Sequence, residues 1–201
     1  MTRITRRAVL AGVVGVAAVG VAGCSSSEQP TEPSESTQNQ SEPTEDESAA
    51  DNGLTLTSTA FDDGEQIPTR YGYEADNVNP PLTVENVPDG TESLALIVDD
   101  PDAVEPAGKV WDHWVVWNIS PDQGSIPEGW TPTEATAGTN DYGEVGYGGP
   151  NPPDAAHRYR FRLFALDTTL ELPAETDADA LEAAMEGHIV ARAQLDGTYP
   201  A

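Results

Sequence analysis

Three histidines and a few carboxylates carry the chemistry this chain could perform. Asp100 and Asp102 flank a proline, and His113 follows Trp111 by two residues. His157 comes shortly after Gly146-Tyr147-Gly148-Gly149 and Pro152-Pro153. An imidazole N–H can donate to a phosphate or carboxylate oxygen. Glycines let backbone N–H groups approach the same anion with no side chain between. A carboxylate beside a histidine fixes its tautomer and favours the protonated ring, and it can also accept from an ammonium group. Each residue has a plainer use as well. Asp100-Pro101-Asp102 reads as a strand-ending turn, His113 between tryptophans reads as a core histidine, and His188 matches no site pattern. The acids and histidines also permit a metal-dependent or hydrolytic reading. They lack a compact metal spacing such as His-Glu-x-x-His and bring no evident nucleophile. No catalytic residue, metal or cofactor is therefore expected.

The elements that must position these residues are mostly strands. Leu54, Leu56, Ser58 and Ala60 alternate with polar partners, as in a half-buried strand. Residues 93–98 form a continuous apolar run, the pattern of a central strand buried on both faces, and follow the turn signal Pro88-Asp89-Gly90. Residues 111–119 are β-branched and aromatic. In residues 158–166, Arg158, Arg160 and Arg162 share one face and Tyr159, Phe161 and Leu163 the other. The arginine face is expected to be solvated and paired with surface acids, each pair worth little. A helix capped by Asp177 or Asp179 is expected to run through residue 186 and stop at Gly187, with Leu181, Ala184 and Met185 as its apolar stripe. Residues 188–195 return to strand. The Gly- and Pro-rich loop of residues 138–153 is the kind of long connection that carries function on a β scaffold.

Charge and the first 52 residues bound the setting. The chain has 35 acidic and 9 basic residues. Three of the basic ones, Arg3, Arg6 and Arg7, lie in an acid-free leader, so its removal shifts the formal charge from −26 to −29. Such self-repulsion is tolerable where salt screens it, which points to a saline habitat. It also argues against nucleic acid as a partner. Residues 1–24 read as a twin-arginine signal peptide, Thr5-Arg6-Arg7-Ala8-Val9-Leu10 preceding an apolar run that is short for a bilayer span. The run ends in a lipobox, Val21-Ala22-Gly23-Cys24, which makes Cys24 the expected lipidation site. The expected location is thus outside the cytoplasmic membrane, anchored to its outer face by lipid. Residues 25–52 contain no Val, Ile, Leu, Met or aromatic residue and are expected to be an acidic tether of roughly 30 Å. Asn39 opens a glycosylation sequon within it. The folded domain is expected over residues 53–201.

Asp100-Pro101-Asp102-Ala103, Trp111-Asp112-His113-Trp114, and the sequence from Gly146-Tyr147-Gly148-Gly149 to His157-Arg158-Tyr159 occur in an order and spacing that resemble the phosphatidylethanolamine-binding proteins. The likeness is to their bacterial and archaeal, Raf kinase inhibitor-like branch, and Asn79-Pro80-Pro81-Leu82 fits it too. It departs at Val104, where the branch has proline, at Gly108 and Lys109, where an aromatic is common, and in a short loop between Pro153 and His157. The resemblance implies a mainly β fold, an antiparallel Greek-key β-sandwich with one or two short helices near the C-terminus. It implies an anion pocket with Asp100 and Asp102 at one wall, His113 opposite, Gly146, Tyr147, Gly148 and Gly149 at the rim, and His157 on the far side. The guest implied is a small phosphate or carboxylate, or a phospholipid head group. Inhibition of a partner protein such as an extracellular protease is the second reading, and a hydrolase or metal enzyme the third.

Overall fold

A computed structural model describes residues 53–201; the expected signal peptide and acidic tether, with Cys24 and Asn39, lie outside the described residues. Eight strands and two short helices follow one another in the described part: β1 (Thr55–Ser58), β2 (Leu82–Glu85), β3 (Ser93–Asp100), α1 (Val104–Ala107), β4 (Trp111–Ile119), β5 (Ser125–Ile126), β6 (Thr136–Ala137), β7 (His157–Leu166), α2 (Ala178–Met185) and β8 (Ile189–Tyr199). They form a three-stranded sheet, β1-β2-β5, and a five-stranded sheet, β6-β4-β3-β7-β8, with antiparallel pairing throughout. The fold is thus mainly β, as the sequence implied.

Burial on both faces explains the apolar run of β3, all of whose residues are buried. Leu94, Leu96 and Val98 join the core shared with Leu56, Leu82 and Val84 of the small sheet. Ala95 and Ile97 point the other way, into a second core closed by Ala178, Leu181 and Met185 of α2. The period of two in the strand thereby feeds two separate cores. Helix α2 begins as expected: the Asp177 side chain accepts from Ala180 N. It ends before Gly187, whose φ of +80° closes it. The other helix, α1, stands mid-chain rather than near the C-terminus. It is a single turn that continues the 3-10 turn Pro101–Ala103 and stops at Gly108 (φ +81°).

The arginine face of β7 departs from expectation. Arg158 is half-exposed, but Arg160 Nε lies 2.6 Å from Asp99 Oδ1 and Arg162 Nη2 lies 2.6 Å from Asp99 Oδ2. The second contact is an ion pair whose angle falls short of a hydrogen bond. Asp99 is fully buried, so two members of the row clamp an interior carboxylate instead of facing water. Arg162 also reaches Glu182 on α2 at 2.8 Å, which ties that helix to the sheet.

Candidate functional site

The site grows from the end of β3. Asp99 belongs to the α2 face, so Asp100, one residue on, must face the opposite side. A β-bulge then decides what Asp100 meets. Across β3 and β4 the register runs Val98↔Trp114 and then Asp99↔Asp112, which leaves His113 as an extra, unpaired residue. Strict alternation would have sent His113 to the α2 face with Val115 and Trp117. The bulge turns it to the other side, in edge contact with the rings of Tyr159 (5.1 Å) and Tyr142 (5.6 Å). The same irregularity places Asp112 opposite Asp99.

Asp100 is held at both oxygens. Oδ1 accepts from the N–H groups of Asp102 (2.9 Å) and Ala103 (3.1 Å), capping the 3-10 turn. Oδ2 accepts from His157 Nδ1 at 2.7 Å, and the two side chains are only 4 % and 5 % exposed. The other ring nitrogen, His157 Nε2, lies 3.0 Å from Asp154 Oδ1. Burial alone would lower the His157 pKa. The hydrogen bond and charge of Asp100, and then those of Asp154, outweigh burial and raise it above the ordinary value. His157 is accordingly an imidazolium between two carboxylates, with both N–H groups donating.

His113 is the opposite case. Its Nδ1 sits 2.8 Å from Gly148 O and 3.1 Å from Gly149 O. Carbonyls only accept, so Nδ1 carries the proton and Nε2 carries the ring's lone pair. Burial lowers its pKa more than those carbonyls and Asp100 raise it, so the ring is neutral. His113 is then an acceptor toward the site, not the donor that an anion contact requires.

The rim glycines are positioned by the same loop. Gly148 N–H donates to His113 O (2.8 Å), Gly149 N–H to Asn77 Oδ1 (2.8 Å) and Gly146 N–H to Gly138 O (3.2 Å). The amide donors expected to cradle an anion are therefore committed within the protein. These positions need glycine for space: a Cβ on Gly148 would lie 2.6 Å from the Tyr142 ring, and one on Gly149 would strike the Tyr71 carbonyl. Asp102 likewise turns away from the site and accepts from Arg158 N at 2.8 Å. Gly146 and Tyr147 line a separate groove with Trp114 and Trp130.

The cavity beside Asp100 has a volume of about 180 Å³. Ala103, Pro106, Ala107, Trp111, Tyr142 and Pro153 form its apolar wall, and Asp100 and Asn151 its polar end. Of the expected residues only Asp100 lines it; His157 is one hydrogen bond behind and His113 one ring contact behind. The space is on the scale of a small head group. Tyr159, the last residue of the His157-Arg158-Tyr159 motif segment and given no role by the sequence, places a buried hydroxyl beside Asp100 and Asn151. Burial and then the Asp100 charge raise its pKa, so it remains a proton donor. Asp154 and Tyr142 were also missed; a loop acid three residues before a histidine was the one available signal.

With this geometry in hand, the comparisons with known proteins are decisive for the family. The family model for phosphatidylethanolamine-binding protein matches residues 57–200. The chain belongs to the phosphatidylethanolamine-binding protein family. A UPF0098 protein of Methanothermobacter thermautotrophicus is 47 % identical over 152 residues, covering 73 % of this chain and 98 % of the relative. Among solved structures, the homolog CT736 from Chlamydia trachomatis is 44 % identical with a TM-score of 0.68, over 73 % of this chain and 96 % of that one. Escherichia coli YbcL is 32 % identical with a TM-score of 0.69, over 74 % and 98 %. The likeness to this family thus spans the described domain and supports a small-ligand-binding fold.

Proposed function

We propose that the domain binds a small anionic group, a phosphate or carboxylate or a phospholipid head group, and does so outside the cell, held to the membrane by lipid on Cys24. The observation that carries this reading is the buried His157–Asp100 pair at the edge of the cavity. A titratable positive charge is held there between two carboxylates. The only route by which it meets a guest is through the Nε2 side, where its partner is the exposed Asp154. The Tyr159 hydroxyl supplies a second donor beside Asp100. Neither histidine is hydrogen-bonded to a hydroxyl or thiol nucleophile among the described residues, and a binding role follows more directly than catalysis.

Calorimetric titration with inorganic phosphate in molar sodium chloride tests the reading. His157→Gln should weaken binding by about 1–3 kcal/mol, the scale of a lost charge-assisted hydrogen bond. Binding should also fade as pH rises through the elevated His157 titration. Equal affinity in wild type and His157→Gln, both with intact thermal unfolding, would remove the pocket from consideration.

A further inference from the structure

The clamp on Asp99 is closed, but the row of charges it belongs to is not. Asp112 on β4 and Arg160 on β7 both lie opposite Asp99 in the register of the sheet, one on either side. Their backbones are thus two strand spacings apart, roughly 10 Å. A cavity of about 340 Å³ opens over this row beside the first turn of α2, and Lys109, Asp112, Arg160, Arg162, Asp179 and Glu182 line it. Three of these charges are committed: Lys109 pairs with Asp141 at 2.6 Å, and Arg162 pairs with both Asp99 and Glu182. The other three are not. Arg160 meets Asp99 through Nε alone, and its two terminal nitrogens make no hydrogen bond or ion pair among the described residues. The carboxyls of Asp112 and Asp179 accept no hydrogen bond there either; Asp112 bonds only through its N–H, to Asp141. Burial and the charges of Asp141 and Asp99 push the Asp112 pKa up to about 7, against the opposing pull of Arg162 and Lys109. One end of the cavity therefore holds carboxyls short of a cation, and the other a guanidinium edge short of an acceptor.

We propose that this cavity is a second binding site, for a small zwitterion of the amino-acid class, with its ammonium at Asp112 and Asp179 and its carboxylate on Arg160. The site is independent of the anion-pocket reading, because the two cavities share no lining residue. A guest with only an anionic end would face the three carboxyls of the lining, and one with only a cationic end its three basic groups. A molecule that carries both charges can turn each toward its complement. The planar edge of a guanidinium suits a carboxylate, which it holds by two parallel bonds. An ammonium has three N–H groups, enough to serve both free carboxyls. Once in place it favours the ionised form of Asp112, so binding near pH 7 releases a proton.

The test titrates the full chain by calorimetry at pH 7 in molar sodium chloride. The probes are glycine and 4-aminobutyrate, with acetate and ethylammonium as single-charge controls. A zwitterion should bind about tenfold tighter than either control. Asp112→Asn and Arg160→Lys, each checked for cooperative thermal unfolding, should weaken it about tenfold, the scale of one charge-assisted bond. Asp112→Asn keeps the side-chain shape and removes an unfavourable charge, so the fold is retained. Titration in two buffers of different ionisation enthalpy counts protons: wild type should release up to about half a proton per guest, and Asp112→Asn none. The proposal is overturned if neither zwitterion binds, if they bind no tighter than the controls, or if Asp112→Asn binds them as well as wild type does. Zwitterion binding with no proton release in wild type overturns the placement of the ammonium at Asp112. Failure of the phosphate titration would remove the anion pocket and leave this site standing.

Discussion

Asp99 and Asp100 are neighbours on β3, both buried, and they face opposite sides of one sheet. Asp99 is gripped by two guanidiniums, which stay charged at any working pH, and Arg162 is tied onward to Glu182. Asp100 is paired with one imidazolium, a group that titrates, and that ring is shared with an acid at the surface. Beside Asp100 lie the buried Tyr159 hydroxyl and an open cavity. The contrast teaches that burial of a carboxylate does not by itself make a site. A closed circuit of permanent charges makes structure, and an incomplete one next to space makes a place for a guest.

The largest expected effect breaks the closed side. Asp99→Ala leaves Arg160 and Arg162, only 26 % and 22 % exposed, without their shared counter-charge. Stability measured by denaturant unfolding should fall by about 3–5 kcal/mol. A loss below about 1 kcal/mol would class the clamp with ordinary surface pairs and erase the contrast.

On the open side, Asp100→Asn should cost about 2–3 kcal/mol, since one amide oxygen still caps the turn while the imidazolium loses its charged partner. The pH dependence identifies the cause. His157 has a folded pKa above its unfolded value of about 6.5, so its support is complete below that pH and is lost as pH rises through the higher folded value. Asp100→Asn should flatten that loss. His113, with a lowered folded pKa, works oppositely and withdraws support as pH falls below about 6.5. A wild-type stability profile flat across this range, with no change in Asp100→Asn, would contradict both assignments.

Asp112 sharpens the picture of the α2 face. Burial first, and then the charges of Asp141 and Asp99, push its pKa up to about 7. A carboxyl whose folded pKa is raised costs stability progressively as pH climbs from about 4 to that value. Asp112→Asn should thus stabilise the domain above pH 7 by on the order of 1–2 kcal/mol, with solvent screening allowed for, and leave it unchanged near pH 4. Melting temperatures of both forms at the two pH values decide it; equal gains at both would trace the effect to packing. The smallest effect is His188→Ala. Its pairing with Asp167 at 2.9 Å joins two half-exposed side chains, so stability should move by less than about 0.5 kcal/mol and phosphate binding not at all. A measurable loss of binding would place a third histidine in the site.

Much of this was legible in residue order. Strand periodicity is a local property, so the run ending in Val98, the alternation from Arg158 onward and the Asp177 cap could be read directly, and each element lies where its pattern placed it. The three motif segments carried the family, and the acid excess set the charge. What the sequence could not specify was which backbone groups meet across strands and loops. The extra residue at His113 turns that ring to the other face of the sheet, and no local pattern marks a bulge that depends on the register of β3. The glycine N–H groups were free donors on paper, but the folded loop gives each a carbonyl or amide partner. Arg160 and Arg162 looked like a solvated row until a buried Asp99 from the adjacent strand came between them. Residue types and their spacing determined which charges the domain owns. Only the tertiary structure decided which were closed into pairs and which were left to be shared, because a hydrogen bond is directional and short, and its partner is chosen by distance in space.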